Sequence, residues 1–198
     1  MSSSRMTATQ RRESILEAAT RAFARTGYAG TSTATIAEEA HVSQPYVIQM
    51  FGSKGQLFRS VYERADQEVL RCLTIALREA SSLGLDPAEQ VRRAAWGCID
   101  RLPDRAYVQI VMHGFLAGNK CPEVADVARA SMMHMYRIVR ESTGCAERQS
   151  GNVIGNLILA GALLSVRAGD DPADGVLADL SQTVFGTTFA DRVRVEAS

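Results

Sequence analysis

With 198 residues, the chain has material for one domain of ordinary size or two small ones sharing a core, and too little for a membrane protein of many spans. Hydrophobic residues are 46% of the chain and charged residues 22%, which excludes global disorder. Lys and Arg (22) balance Asp and Glu (22), excluding a uniformly charged coat for nucleic acid or membrane, yet through Arg64 eight basic residues face five acidic ones, a net of +3 against −3 for the remainder.

In chain order the pattern is helical throughout. Ile15, Ala19, Ala22 and Phe23 recur at helical spacing behind a Thr7 to Gln10 capping box, and Gly27 is a stop signal, so the first helix is expected over about 8–26. After a glycine-containing loop, Ser32 or Thr33 caps a short helix with Ile36, Ala37 and Ala40 inward. The turn His41-Val42-Ser43 follows. His tolerates the unusual backbone angles such a turn requires. Ser43 then caps a second short helix, in which Pro45 is tolerated because first-turn N–H groups have no intrahelical partner.

Ser53 to Gln56 again has capping-box spacing, and Leu57, Phe58, Val61, Tyr62, Ala65, Val69, Cys72, Leu73, Ala76 and Leu77 hold one apolar face over a long helix, 53–80. Turn signals place the remaining helices at about 87–102, 104–118, 122–143, 146–167 and 173–188. No run alternates with period two, so the fold class is all-α. The uncharged stretch Gln149 to Val166 has the length of a minimal membrane span. Its Ser, Asn and Gly content instead predicts a buried packing helix, and the Gly151/Gly155 spacing suits close pairing with another helix.

Cys72, Cys98, Cys121 and Cys145 form no C-x-x-C pair, and the N-terminal MSSSRMTATQRRE lacks the apolar run of a secretory signal. The expectation is a reduced, cytoplasmic protein with idle thiols.

The two short helices around His41 have the geometry of a helix-turn-helix, whose second helix enters the DNA major groove while the first braces it. Burying Val47 and Phe51 leaves Gln44, Pro45, Tyr46, Gln49 and Met50 outward. Gln can pair bidentately with adenine, Tyr can reach phosphate or a base, and Pro can pack on a thymine methyl. Lys54, opening the next helix, sits where a cation and free N–H groups can hold a phosphate. Two solvated surface helices in a bundle would read the same way motif by motif.

Phe23, Gly27 and Tyr28, then Ser32, Thr33, Ile36 and Ala37, then Val42 and Ser43, then Phe51, Ser53, Lys54 and Leu57 lie in fixed register. Over Gln10 to Glu63 this pattern resembles the N-terminal region of the TetR family of bacterial transcriptional regulators. It departs at the end of the second short helix, where the family's L-Y-x-H/Y-F reads Val47-Ile48-Gln49-Met50-Phe51; Ile48 and Met50 cannot donate the hydrogen bonds that Tyr and His would supply.

The resemblance implies a helix-turn-helix DNA-binding domain over 8–55, joined by the long helix to a ligand-binding and dimerisation domain over 56–190. It implies that Thr33 and Lys54 contact phosphate and that Gln44, Pro45, Tyr46 and Gln49 face the operator, with Ala34 and Ser43 beside them. It further implies a homodimer joined through the last two long helices and released from double-stranded DNA by a small-molecule inducer, with repression as the family default.

No catalytic motif occurs in the sequence, and no cofactor or metal is expected. The apolar C-terminal helices suggest a ligand pocket drawn from Trp96, Ile99, Tyr107, Ile110, Val111, His113, Phe115, Met132, Met133, Met135, Tyr136, Asn152 and Asn156, though core packing is the commoner role for each. Asn152 and Asn156 fall one turn apart, where buried amides would need partners. The Met132-Met133-His134-Met135 run is read as flexible gap-filling and not as a copper site, because adjacent helical residues face different ways. An architectural DNA binder without effector and a helical lipophile carrier are the rival classes.

Overall fold

The computed structural model describes residues 6–144 and 146–166, with Gly175, Asp179 and Leu180 besides. These residues form eight helices and no strand: α1 (Ala8–Gly30), α2 (Thr33–Glu39), α3 (Gln44–Phe51), α4 (Lys54–Ser81), α5 (Pro87–Arg101), α6 (Ala106–Ala117), α7 (Pro122–Thr143) and α8 (Glu147–Ser165). The all-α expectation holds, and each described helix lies within about two residues of its expected bounds except at the end of α1. The helix expected over 173–188 and Cys145 lie outside the described residues.

Local chemistry accounts for most boundaries. Both halves of the Thr7/Gln10 capping box form, at 2.8 and 3.2 Å. Ser32, not Thr33, caps α2 by accepting from the Thr35 N–H at 3.0 Å. His41 adopts φ 53° in the turn before α3. Asp86 accepts from the N–H groups of Ala88 and Glu89 at the start of α5. At α4 one half of the expected box forms, with Gln56 N–H donating to the Ser53 hydroxyl at 3.1 Å.

Gly27 ends the first straight stretch of α1 as expected, with φ 67° and ψ −178°, but the chain resumes helical geometry to Gly30. A long-range contact accompanies the kink. The His113 ring of α6 lies against Gly27, where an added Cβ would stand 3.1 Å from its Nδ1. His113 Nε2 is 3.3 Å from the Ala24 carbonyl oxygen, and the Thr31 hydroxyl is 2.7 Å from that of Gly27. Carbonyls exposed by the broken ladder thereby find partners.

The chain forms two compact units, residues 1–68 with 104–131 and residues 69–103 with 132–198. In the first, α1 packs on α6 and on α2, and α2 on α3. Its interior holds Phe23, Ile36, Val47, Leu57, Phe58, Val61, Tyr62 and Ile110. The Tyr62 ring of α4 fills the space over Gly114 of α6, where an added Cβ would stand 2.1 Å from a ring carbon. In the second unit, Leu70, Leu73, Ala76 and Leu77 of α4 pack with Val91, Ala94 and Cys98 of α5, Met135 and Val139 of α7, and Val153 and Ile154 of α8. Trp96 and Ile99 form a smaller cluster with Ala160 and Leu163. Cys72, Cys98 and Cys121 are buried and in no disulfide among the described residues. No helix among the described residues is long and apolar enough to cross a membrane.

Candidate nucleic-acid interface

The turn between α2 and α3 is fixed from within. Val42 N–H donates to the Ala37 carbonyl at 2.9 Å and His41 N–H to that of Glu38 at 3.1 Å. Val47 is fully buried and Phe51 nearly so. With one face of α3 so anchored, Gln44, Pro45, Ile48 and Gln49 are exposed and Tyr46 and Met50 half-buried. Of the outward set expected for α3, Gln44, Pro45 and Gln49 are exposed while Tyr46 and Met50 are only partly so, and Ile48, 37% exposed, adds an apolar point.

The predicted contact residues divide by role. Ala34 is exposed in the first turn of α2. Ser43 spends its hydroxyl as the cap of α3, accepting from Tyr46 N–H at 3.4 Å. Thr33, expected at a phosphate, is buried, and its hydroxyl accepts a 2.9 Å hydrogen bond from Gln44 Nε2. Lys54 is half-buried, with Nζ 4.5 Å from the centroid of the Tyr28 ring.

Two arginines of α1 join this surface. The Arg11 guanidinium lies 5.9 Å from the Tyr46 ring centroid and that of Arg12 5.1 Å from Phe51. Cations over aromatic faces are held electrostatically. Arg11 and Arg12 thus flank α3 while Lys54 follows it, and the exposed surface of α3 bears no carboxylate. On the other side of α2, Glu39 is occupied by Arg21 and Arg25.

Beneath Lys54 lies a group that sequence patterns missed. The Glu123 carboxylate of α7 lies against Gly55, where an added Cβ would be 2.6 Å from its Oε1. Cys121 Sγ is 3.5 Å from Glu123 Oε2. Burial pushes the Cys121 thiol pKa up, with Glu123 adding to it; burial likewise raises Tyr28, whose phenol bonds Cys121. Tyr28 was visible in sequence only as part of the family pattern, and Glu123 had no local signal, since some seventy residues separate it from Gly55.

The ligand-pocket pool is not gathered in this way. Trp96 and Ile99 are buried on α5, and Tyr107, Ile110 and Val111 on α6. His113 is committed to the α1 kink, and Phe115 is partly buried. Met132 and Met133 are exposed on α7, while Met135 is buried and Tyr136 partly so. Asn152 and Asn156 are exposed, not buried: α8 turns Val153, Ile154, Ala160 and Leu163 inward, and the Asn pair shares its open side with Gly151 and Gly155. The second unit does hold a groove of about 550 Å³ between α4 and α5, whose lining includes Ala76, Ala80, Leu83, Trp96 and Gly97. Glu79 and Glu89 on its rim pair with Arg101 and Arg92. Of the pool, Trp96 alone lines it.

Comparison with known proteins bears on both the segment and the whole fold. The description "Bacterial regulatory proteins, tetR family" matches residues 15–61. No curated protein matches by sequence. Among solved structures, a TetR-like transcriptional regulator from Rhodococcus sp. RHA1 is similar with a TM-score of 0.62 and 24% identity, over 91% of this chain and 97% of that one. The multidrug binding protein EbrR complexed with imidazole gives 0.58 at 22% identity, over 88% and 89%. The same protein complexed with proflavin gives 0.56 at 23%, over 88% and 99%. At these identities the likeness is one of fold.

Proposed function

We propose that the chain, whose residues 15–61 match the tetR family of bacterial regulatory proteins, is a DNA-binding transcriptional repressor, a homodimer on a pseudo-palindromic operator, released by a small, largely apolar ligand. The observation that carries the reading is α3: a short helix with Gln44, Pro45 and Gln49 exposed, flanked by Arg11, Arg12 and Lys54 on aromatic rings. Outward amides suit base edges, and cations at both ends suit phosphates.

In this reading residues 8–55 bind DNA, and Pro45, Tyr46 and Ala34 line the groove with the two glutamines. Two copies place two such helices in successive major grooves, about 34 Å apart. Pairing runs through α8, whose open side of Gly151, Asn152, Gly155 and Asn156 allows close approach of a second backbone, together with the segment at 173–188. The inducer binds within residues 56–190. A planar aromatic compound is the first class to try, because the multidrug protein of similar fold is complexed with imidazole and with proflavin. Helix α4 carries Lys54 at its start and Leu73 and Leu77 in the second unit's core. A ligand favouring a displaced α4 therefore weakens DNA binding, and operator DNA weakens ligand binding by the same factor.

The test is binding of the purified protein to fragments flanking its own gene, at about 50 and 200 mM salt with competitor DNA. One fragment retained at the higher salt is the expected result. Uniform loss of every fragment counts against a site-specific regulator and for a carrier whose apolar half is its function.

A further inference from the structure

We infer that Thr33 is a positioning residue that sets specificity through Gln44: it holds the Gln44 amide in the orientation that accepts adenine over guanine. The inference rests on the DNA-binding reading above and adds the base it selects.

Thr33 stands at the first position of α2, where a hydroxyl would ordinarily serve the helix end. That duty is discharged by Ser32, whose Oγ accepts from Thr35 N–H at 3.0 Å. The Thr33 side chain is free for another role and is largely buried, at 9% exposure. Its Oγ1 instead accepts a 2.9 Å hydrogen bond from Nε2 of Gln44, eleven positions on in sequence. Gln44 is otherwise exposed, at the first turn of α3, with Pro45 after it and Ser43 capping before it.

The consequence follows from counting donors. A glutamine amide has two N–H donors and one carbonyl acceptor. With one N–H committed to Thr33, Gln44 presents one donor and one acceptor outward. Adenine offers the complement in the major groove, an N7 acceptor beside an N6–H donor, whereas guanine offers two acceptors, N7 and O6. Two outward donors from one nitrogen would be needed to meet guanine bidentately, and the bond to Thr33 removes one. Thr33 thereby converts a side chain of mixed capacity into an adenine reader.

The experiment is enrichment of a random double-stranded library by the full-length protein at about 200 mM salt, repeated with Thr33→Val and Thr33→Ser, each checked for helicity. The wild type and Thr33→Ser should enrich adenine over guanine at one symmetric pair of positions. Thr33→Val, nearly isosteric but without the acceptor, should lower that ratio by about fivefold or more, with the other positions unchanged. The same adenine preference in folded Thr33→Val overturns the role given to Thr33 alone. No enriched sequence with the wild type overturns the regulator reading and this role together.

A second measurement needs no valine variant. In a nitrogen-15 spectrum of the free wild type, assigned by its loss in Gln44→Ala, one Gln44 side-chain amide proton should exchange with solvent more slowly than its twin. Equal exchange of the two protons overturns the proposal.

Discussion

Tyr62 and Gly114 show how much one hydrogen atom can fix. The ring occupies the place of a side chain on α6, so Gly114→Ala forces a methyl to within 2.1 Å of a ring carbon. We expect that variant to lose about 1–3 kcal/mol in denaturant unfolding. Cys98 supplies a second prediction at this scale. Burial, with Cys72 adding to it, pushes its thiol up from 9.0 to about 12. A group raised on folding contributes stability that is complete below its unfolded value and lost as pH climbs through the folded one. Thermal stability should therefore fall more steeply between about pH 9 and 12 in the wild type than in Cys98→Ala, and the native thiol should resist alkylation at neutral pH.

Helices in this chain are set by short-range chemistry, and their ends respond to it. Ser43→Ala removes the side-chain acceptor at the start of α3. The loss expected is about 1 kcal/mol by thermal melting, together with weaker operator binding. The Ser43 cap, the His41 turn, the buried pair Val47 and Phe51, and the outward glutamines were all legible in sequence, because each depends on residues within one turn. What was not legible connects distant positions. Sequence suggested that α1 ends at Gly27; the helix resumes to Gly30, with His113 from α6 at the broken ladder. Thr33 matched the family's phosphate position by register, while the hydrogen bond that its hydroxyl accepts comes from Gln44 across the turn. Turn signals placed α5 to α8 but carried no information on which way their residues face, and Asn152 and Asn156, expected as buried amides, are exposed.

At the scale of the whole molecule, zero net charge conceals a local surface of cations, and function should follow the surface. The double variant Lys54→Ala with Tyr46→Ala should abolish operator retention in a mobility-shift assay while leaving helicity intact. A single Lys54→Ala, if its ammonium meets phosphate, should reduce the slope of log affinity against log salt by about 1 per protomer. Dimerisation is separable from both. Gly155→Leu places a large side chain on the open side of α8 and should shift the protein toward monomer in sedimentation without unfolding it. The packing units cross the expected functional boundary near residue 55, since α6 and the start of α7 group with the N-terminal helices.

The aromatic seats of Arg11, Arg12 and Lys54 bear on the thermodynamics of association. Long cationic side chains that must be frozen on contact cost roughly 0.5–1.5 kcal/mol each in lost rotamers. Here the three are already confined over Tyr46, Phe51 and Tyr28 in the free protein. Much of that ordering is completed when the chain folds, so an arriving backbone phosphate meets cations with little freedom left to lose. Calorimetry of operator binding should register this as a less unfavourable conformational entropy than for a variant with Tyr28 or Tyr46 replaced by leucine.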